Sequence, residues 1–348
     1  MIDSKARADY CPQNIEWYIY KLISWLTKTF FISILIIRCI LGISVNRPLI
    51  LWAVIEINMI LFIPILGITI RLATPDIIRF KYFFTQSLAS VILFFRLLIL
   101  RLSSRRFSNM SLALTIRLAW KIGTPPFHMW LFNLLIDIDW ALFFIISSWQ
   151  KILPFYIIRQ IILEGADILI LLSLLISVRM AFHQSGLKKL LIISSIFTRG
   201  WVMGSIVFIK ILWLVFFIFY SRMLFFCCLI LYMSEGSSPE GDPLITLTAQ
   251  EKFLIFLLLI SIGGLPPLLG FYIKLIILTG LLVNIKFFLL FRIIISSVLI
   301  IYLYLSIILR VLTLAPLTRI HGEPLKLLQY PIFMIVIFIG SPLIIINL

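Results

Sequence analysis

The chain has 348 residues, of which 62% are hydrophobic and 13% are charged, with a net charge of +16 and a mean hydropathy of +1.17. Soluble domains are closer to half apolar and about a quarter charged, so this composition excludes a water-soluble globule. The basic residues are scattered over many short segments without an arm or stripe, which excludes a nucleic-acid-binding protein and is typical of residues that flank membrane spans.

About eleven apolar runs follow one another, each near the ~20 residues that a helix needs to cross a bilayer. The runs lack the period-two alternation of barrel strands, so the sequence predicts an all-α integral membrane fold. The N-terminal segment 1–21 is polar and lacks the apolar core of a signal peptide. The predicted spans are 22–45, 48–70, 81–101, 108–131, 140–162, 166–181, 187–209, 211–234, 252–283, 287–310 and 329–347.

Proline pairs interrupt two of these spans, in the segments Gly123–Pro126 and Gly263–Pro267. Proline removes a backbone donor and clashes with the preceding turn, which predicts a broken helix at both places. The broken helix is fourth in each of two groups of five spans, which predicts inverted repeats over 22–162 and 163–310, with a loop and a last helix in 311–348. The alternative is that two proline kinks coincide by chance.

Lys and Arg are more numerous at the predicted loops on the N-terminal side than on the other side. Cytoplasmic or matrix loops carry such an excess. We therefore expect the N-terminus in the matrix or cytoplasm, and an odd number of spans would place the C-terminus on the opposite face. Some of the basic residues are expected to hold acidic lipid headgroups, cardiolipin among them.

Ionisable side chains inside the spans are the candidates for chemistry. Glu56 lies in the second span, where an ionised carboxylate is costly unless it is paired or neutralised; the alternative to a proton site is an ion pair that locks two helices. Lys121 lies at the first break, Lys151 in the middle of the fifth span and Lys274 beyond the second break. Because burial disfavours a charged lysine and a nearby carboxylate favours it, a lysine whose partner moves can bind and release protons near neutral pH. Near a helix end, a lysine that snorkels carries no such role.

His128 lies two residues after Pro126 and could pass protons between lysines; a helix-packing hydrogen bond is the alternative. His183 and His321 fall in loops and are expected to be solvated. The sequence has no paired-carboxylate site, no nucleotide-binding loop and no catalytic triad. The four cysteines lack metal or haem spacing, so we expect no metal site and no iron–sulfur cluster in this chain.

Five segments carry a resemblance to a known family: Lys81-Tyr-Phe-Phe-Thr-Gln, Lys121-Ile-Gly-Thr-Pro-Pro-Phe-His-Met-Trp, Trp149-Gln-Lys-Ile-Leu-Pro, His183-Gln-Ser-Gly-Leu-Lys-Lys-Leu-Leu-Ile-Ile-Ser-Ser-Ile and Gly263-Gly-Leu-Pro-Pro-Leu-Leu-Gly-Phe-Tyr-Ile-Lys. Their order and spacing resemble subunit 2 of mitochondrial NADH:ubiquinone oxidoreductase, respiratory complex I. That family is homologous to cation/proton antiporter subunits.

The resemblance implies an antiporter-like fold with a row of buried charges across the membrane midplane. Glu56 matches the family's glutamate, and Lys121, Lys151 and Lys274 match its three lysines. It also implies the mitochondrial inner membrane, with the N-terminus in the matrix and the C-terminus in the intermembrane space, beside other membrane-arm subunits. NADH, FMN, iron–sulfur clusters and ubiquinone would be bound by those other subunits, so no cofactor is expected here.

The chain also departs from the family pattern. The fuller family has fourteen helices, and the first three have no counterpart in this chain. Animal mitochondrial versions of the family are similarly short, and another polypeptide could also supply the three helices here. Where the family reads Ser-Ser-Ile-Ala-His-Met-Gly, this chain has Ser194-Ser-Ile-Phe-Thr-Arg-Gly200. Thr198 therefore replaces a histidine, which puts a proton relay through this span in doubt. Arg222 lies in the middle of the eighth span, and the sequence gives no reason for it beyond an unseen partner.

The function predicted from these residues is proton translocation by a membrane-arm subunit of complex I, an H⁺-translocating NADH:ubiquinone oxidoreductase. Buried Glu and Lys residues would move protons while the redox chemistry takes place in other subunits. One alternative is an Mrp-type cation/proton antiporter subunit, against which the missing helices and short loops argue. Another is a structural scaffold whose buried charges only hold helices together.

Overall fold

A computed structural model of the chain describes residues 12–45, 47–69, 75–102, 108–160, 165–184, 186–208, 212–235, 249–266, 268–283 and 286–313. Within these residues all the regular secondary structure is helical. The helices are α1 Pro12–Ser44, α2 Pro48–Thr69, α3 Pro75–Leu102, α4 Ser108–Ile122, α5 Met129–Ile136, α6 Trp140–Ser147, a 3₁₀-helix Trp149–Lys151, α7 Ile152–Gln160, α8 Ala166–Phe182, α9 Leu187–Phe208, α10 Leu212–Glu235, α11 Ala249–Gly263, α12 Leu269–Val283 and α13 Phe287–Thr313.

The described helices include six that are long and apolar enough to cross a membrane, so the chain is a multi-pass integral membrane protein. Helices occupy ten of the predicted spans, and the eleventh, 329–347, lies outside the described residues. Two helices begin earlier than predicted, α1 at Pro12 and α3 at Pro75. Proline suits a first helical turn because the backbone N–H there needs no partner. The six candidate spans are Leu49–Gly67, Asp76–Ile99, Trp140–Gln160, Leu187–Val207, Leu212–Met233 and Phe287–Ser306.

The chain forms two compact units that divide between Ser103 and Ser104. In the first unit, α2 packs against both α1 and α3, and the Trp52 indole donates to the Ser90 carbonyl at 3.1 Å. In the second unit, α9 is the central helix and packs against α5, α7, α8, α10 and α12. In the apolar part of α9, within Leu187–Val207, 94% of the residues are buried, so this helix has almost no lipid-facing surface in the chain.

Both predicted helix breaks are present, and each begins in the same way. At the end of α4, Gly123 has φ +78° and its N–H donates to the Trp120 carbonyl, while the Thr124 N–H donates to the Ala119 carbonyl. At the end of α11, Gly264 has φ +86°. These are left-handed glycine terminations, which glycine adopts without the strain of a Cβ. The prolines that follow cannot continue the helix.

A third interruption lies in the span that was predicted to be continuous over 140–162. The chain leaves α6 at Ser148 and passes through the 3₁₀-helix before α7 begins. The hydroxyls of Ser147 and Ser148 donate to carbonyls four residues earlier, at 2.6 Å each, which loosens a helix. Pro154 has no N–H for the Gln150 carbonyl, which removes one further helical hydrogen bond.

Candidate functional site

Lys121 and His128 lie on the two sides of the first helix break. Lys121 is in the last turn of α4 and His128 immediately precedes α5; both side chains are buried. The His128 Nδ1 lies 3.2 Å from the Pro126 carbonyl, and a carbonyl only accepts, so Nδ1 carries the proton of this hydrogen bond. In the neutral ring Nε2 is then the acceptor nitrogen.

Arg199 of α9 reaches the same break from the centre of the unit. Its guanidinium donates to the Gly123 carbonyl and to the Ser195 hydroxyl at 3.0 Å, and the residue is only 2% exposed. The C-terminal end of a helix carries partial negative charge, so the end of α4 attracts this cation. Arg199 also interacts electrostatically with His128 and with Lys151.

Lys151 occupies the third interruption, as the last residue of the 3₁₀-helix. Its side chain is buried, with 4% exposed, and its Nζ makes no hydrogen bond to another described residue. A helix that is unwound at membrane depth exposes backbone groups that water or a moving proton can use. The interruption therefore places a buried amine where the helix is locally open.

Lys274 of α12 binds the carbonyl groups at the second break. Its Nζ donates to the Ile262 carbonyl at 2.8 Å and to the Gly263 carbonyl, which are the last two carbonyls of α11. The same Nζ lies 5.5 Å from the ring centre of Phe197 and 5.3 Å from that of Trp201, both on α9. A cation over an aromatic face is attracted to the ring, so carbonyl dipoles and π-faces together solvate this buried amine.

Helix α9 therefore contacts the first break with one face and Lys274 of the second break with the opposite face. Phe197 and Trp201 are four residues apart and share a face, which meets Lys274. Arg199 lies between them in sequence, about 200° around the helix from each, and meets the end of α4. Among the described residues, neither Arg199, Lys151 nor Lys274 has an ion pair with a carboxylate, although an unpaired charge in a low-dielectric interior is costly.

Glu56 belongs to the first unit and is described within it alone. It lies in the middle of α2 and is half-buried, where it interacts electrostatically with Tyr82 of α3. Gln86, one turn further along α3, is also buried. Within its own unit, the predicted acidic site thus has the Tyr82 hydroxyl as an electrostatic partner.

Arg199 is the site residue that sequence reasoning missed. It stands beside Thr198, which drew attention because a histidine was expected there. The available signal was an arginine in mid-span, four residues after Ser195 and therefore on the same polar face of the helix.

The sequence also drew attention to three other polar residues. Arg222, the mid-span charge, is exposed on α10, and His183 is exposed at the end of α8. His321 lies outside the described residues.

The part of the chain that the structure describes contains no group of three or more His, Cys, Asp or Glu side chains that could hold a metal ion. Cys39, Cys227 and Cys228 are buried and free. Cys11 lies outside the described residues. The buried ionisable side chains at the three interruptions are the amines of Lys121, Lys151 and Lys274 and the His128 imidazole, with the Arg199 guanidinium at the first break.

Comparison with known proteins decides the family. Residues 46–300, which include all three interruptions, match the model of the family described as NADH:quinone oxidoreductase/Mrp antiporter, TM. The chain belongs to this family. Within the NADH:quinone oxidoreductase/Mrp antiporter family, it is 31% identical over 292 residues to the NADH-ubiquinone oxidoreductase chain 2 of Anopheles gambiae, covering 81% of this chain and 85% of that one. The resemblance seen in the sequence is thereby confirmed.

Two solved structures share the fold of this family member. A chain of respiratory complex I from Thermus thermophilus, solved with bound aureothin, superposes with a TM-score of 0.67 at 18% identity, over 84% of this chain and 75% of that one. A chain of the membrane-bound sulfane sulfur reductase, an archaeal respiratory membrane complex, gives a TM-score of 0.73 at 12% identity, over 88% and 71%. The antiporter-like helical membrane fold is therefore confirmed.

Proposed function

We propose that this chain is a proton-translocating membrane-arm subunit of mitochondrial complex I. The observation that carries the proposal is that three buried lysines each lie at an interruption of a helix: Lys121 at the end of α4, Lys151 in the 3₁₀-helix and Lys274 against the end of α11. A scaffold gains nothing from such an arrangement, because placing an amine in the apolar interior and interrupting a helix both reduce stability.

Protons would move between these groups as their surroundings change. An amine that is solvated by carbonyls holds a proton well, and the same amine loses it when those carbonyls withdraw. His128 can pass a proton through Nε2 because Nδ1 stays bonded to Pro126. Glu56 would be a further proton site, in the first unit. Only a conformational change with different interactions in its two states can drive the transfer.

The energy for that change would come from NADH oxidation in other subunits of the complex. NADH, FMN, iron–sulfur clusters and ubiquinone would be bound there, and this chain would have the other membrane-arm subunits and lipids, including cardiolipin, as partners. The chain would lie in the mitochondrial inner membrane with its N-terminus in the matrix. Titration of the isolated chain for flavin and iron tests the cofactor part of the proposal.

The test replaces Lys151 by alanine and Glu56 by glutamine in assembled complex reconstituted into vesicles. The rate of proton uptake should fall about tenfold or more in either variant, because an added barrier of only about 1.4 kcal/mol slows a step tenfold. Lys189→Ala is the matched control, since Lys189 is exposed near the start of α9.

Assembly should be retained in both variants, since Glu56→Gln preserves shape and Lys151→Ala removes a buried charge. If both variants assemble and pump at the normal ratio and rate, the charges are structural and the scaffold alternative is correct. If the isolated chain exchanges sodium for protons in vesicles without NADH oxidation, the Mrp-type antiporter alternative is correct.

A further inference from the structure

Two buried tyrosines of the second unit interact with each other. Tyr220 of α10 and Tyr304 of α13 are 4% and 1% exposed. Neither hydroxyl has a partner in full hydrogen-bond geometry among the described residues. A buried hydroxyl that is not satisfied costs free energy, and its retention in the interior of a membrane protein indicates a use for it.

The neighbours of Tyr220 connect it to the first break. Its hydroxyl lies beside Thr198 of α9 and interacts electrostatically with Arg199. Arg199 in turn interacts with Lys151 and binds the Gly123 carbonyl. Arg199 therefore links the Tyr220 hydroxyl with Lys151, since it interacts with both.

The neighbours of Tyr304 connect it to the second break. Its hydroxyl lies beside Ser194 of α9 and interacts with Tyr220. Its ring packs so close to Gly263 that a Cβ there would lie 3.3 Å from the ring. The Gly263 carbonyl accepts a hydrogen bond from Lys274. The four helices that supply these groups pack together: α10 against α9 and α11, and α13 against α11 and α12.

We propose that Tyr220 and Tyr304 carry protons between Lys151 and Lys274, in place of the histidine that is absent at Thr198. The proposal rests on the proton-translocating function argued above and adds a route to it. A hydroxyl both donates and accepts hydrogen bonds, so two tyrosines with the hydroxyls of Thr198 and Ser194 and intervening water can form a continuous chain.

The proton balance of this route is simple. Protonated Lys151 releases a proton to the first water or hydroxyl. Each hydroxyl oxygen then accepts one proton as it releases its own to the next acceptor. The lone pair of neutral Lys274 accepts the last proton. Each tyrosine ends neutral, with its hydroxyl turned. Arg199 is a positioning residue here, because its fixed positive charge attracts the Tyr220 oxygen and so turns the O–H away toward α13.

The test uses Tyr220→Phe, Tyr304→Phe and the double variant in assembled complex reconstituted into vesicles. Phenylalanine keeps the ring and removes only the hydroxyl, so the amount of assembled complex should be unchanged. The rate of proton uptake should fall, and in the double variant by about tenfold. Tyr302→Phe and Tyr232→Phe are matched controls, because both side chains are exposed on the same two helices, at 61% and 56%.

Three results would overturn the route, and they differ from failure of the proposed function. Normal uptake in the double variant while Lys151→Ala is impaired means that protons pass elsewhere. A parallel loss of assembly, NADH oxidation and uptake means that the hydroxyls are structural. An equal loss of uptake in the exposed-tyrosine controls means that the effect is not specific to the buried pair. Normal uptake in Lys151→Ala as well would refute the proposed function itself.

Discussion

The breaks after α4 and after α11 have the same backbone conformation, but a different cation binds the carbonyl groups at each. Both end in a left-handed glycine followed by proline. At the second break the cation is Lys274, which comes from the other half of the same broken helix. At the first it is Arg199, which comes from α9, 76 residues along the chain.

The difference lies in what each cation can do with a proton. An arginine stays charged at any pH a protein meets, whereas a buried lysine can lose its proton. The first break therefore keeps a permanent positive charge, with which the exchangeable group His128 interacts. At the second break the exchangeable group is itself the ligand of the helix end. Proton release there should free the carbonyls of α11, which couples protonation to backbone structure.

The largest effect is expected from Lys274→Arg, which gives the second break the permanent charge of the first. The guanidinium can still donate to the carbonyls at the end of α11, so assembly should be kept. Proton uptake per NADH should fall about tenfold or more, because no group at this position can release a proton. Lys274→Met should give the same loss of uptake. Uptake that is retained in Lys274→Arg would show that charge, and not proton exchange, is what this position supplies.

A smaller effect is expected from changing the first break. Arg199→Lys keeps a cation but loses the fork that spans Gly123 and Ser195, so uptake should fall by less than about tenfold. Arg199→Met leaves the Gly123 carbonyl without its partner, at about 1–3 kcal/mol, but also relieves the burial of an unpaired charge. We expect its thermal stability in purified complex to be unchanged or higher, with uptake below that of Arg199→Lys. A large loss of stability in Arg199→Met would show that the guanidinium is mainly structural.

The smallest effect is expected from alanine at the two left-handed glycines. Each substitution should cost about 1–2 kcal/mol from backbone strain alone, measured as thermal stability of the complex. Gly264→Ala should also reduce proton uptake, because its Cβ would lie 2.8 Å from Lys274 Cδ. Gly123→Ala meets Arg199 Nη1 at 3.2 Å, a milder contact. Equal effects on uptake at the two positions would contradict the distinction between the breaks.

The sequence was sufficient to predict both breaks, because glycine and paired prolines act on the local backbone. It also singled out Lys121, Lys151, Lys274 and His128, since buried ionisable groups are conspicuous in apolar runs. Their arrangement was not accessible in the same way. The use of Lys274 as a ligand of the α11 end depends on how the chain folds back after the break, and apolar periodicity carries no information on that.

The remaining differences have tertiary causes. The contact of Arg199 with Gly123 joins residues that are far apart in sequence, so no local sequence pattern predicts it. The interruption at Lys151 combines the back-bonds of Ser147 and Ser148 with Pro154, which lies three residues after Lys151. No motif in the sequence distinguishes Tyr220 and Tyr304, whose burial comes from the packing of α10 and α13.

The burial of α9 also has a consequence for how the chain is made. A mid-span arginine costs about 2.5–3.5 kcal/mol on insertion scales, so α9 enters the bilayer poorly by itself. Its partner at the end of α4 is synthesised earlier, since Gly123 precedes Arg199 in the chain. Membrane insertion of α9 should therefore depend on the helices that precede it in the chain. We expect α9 to insert after those helices have already entered the membrane.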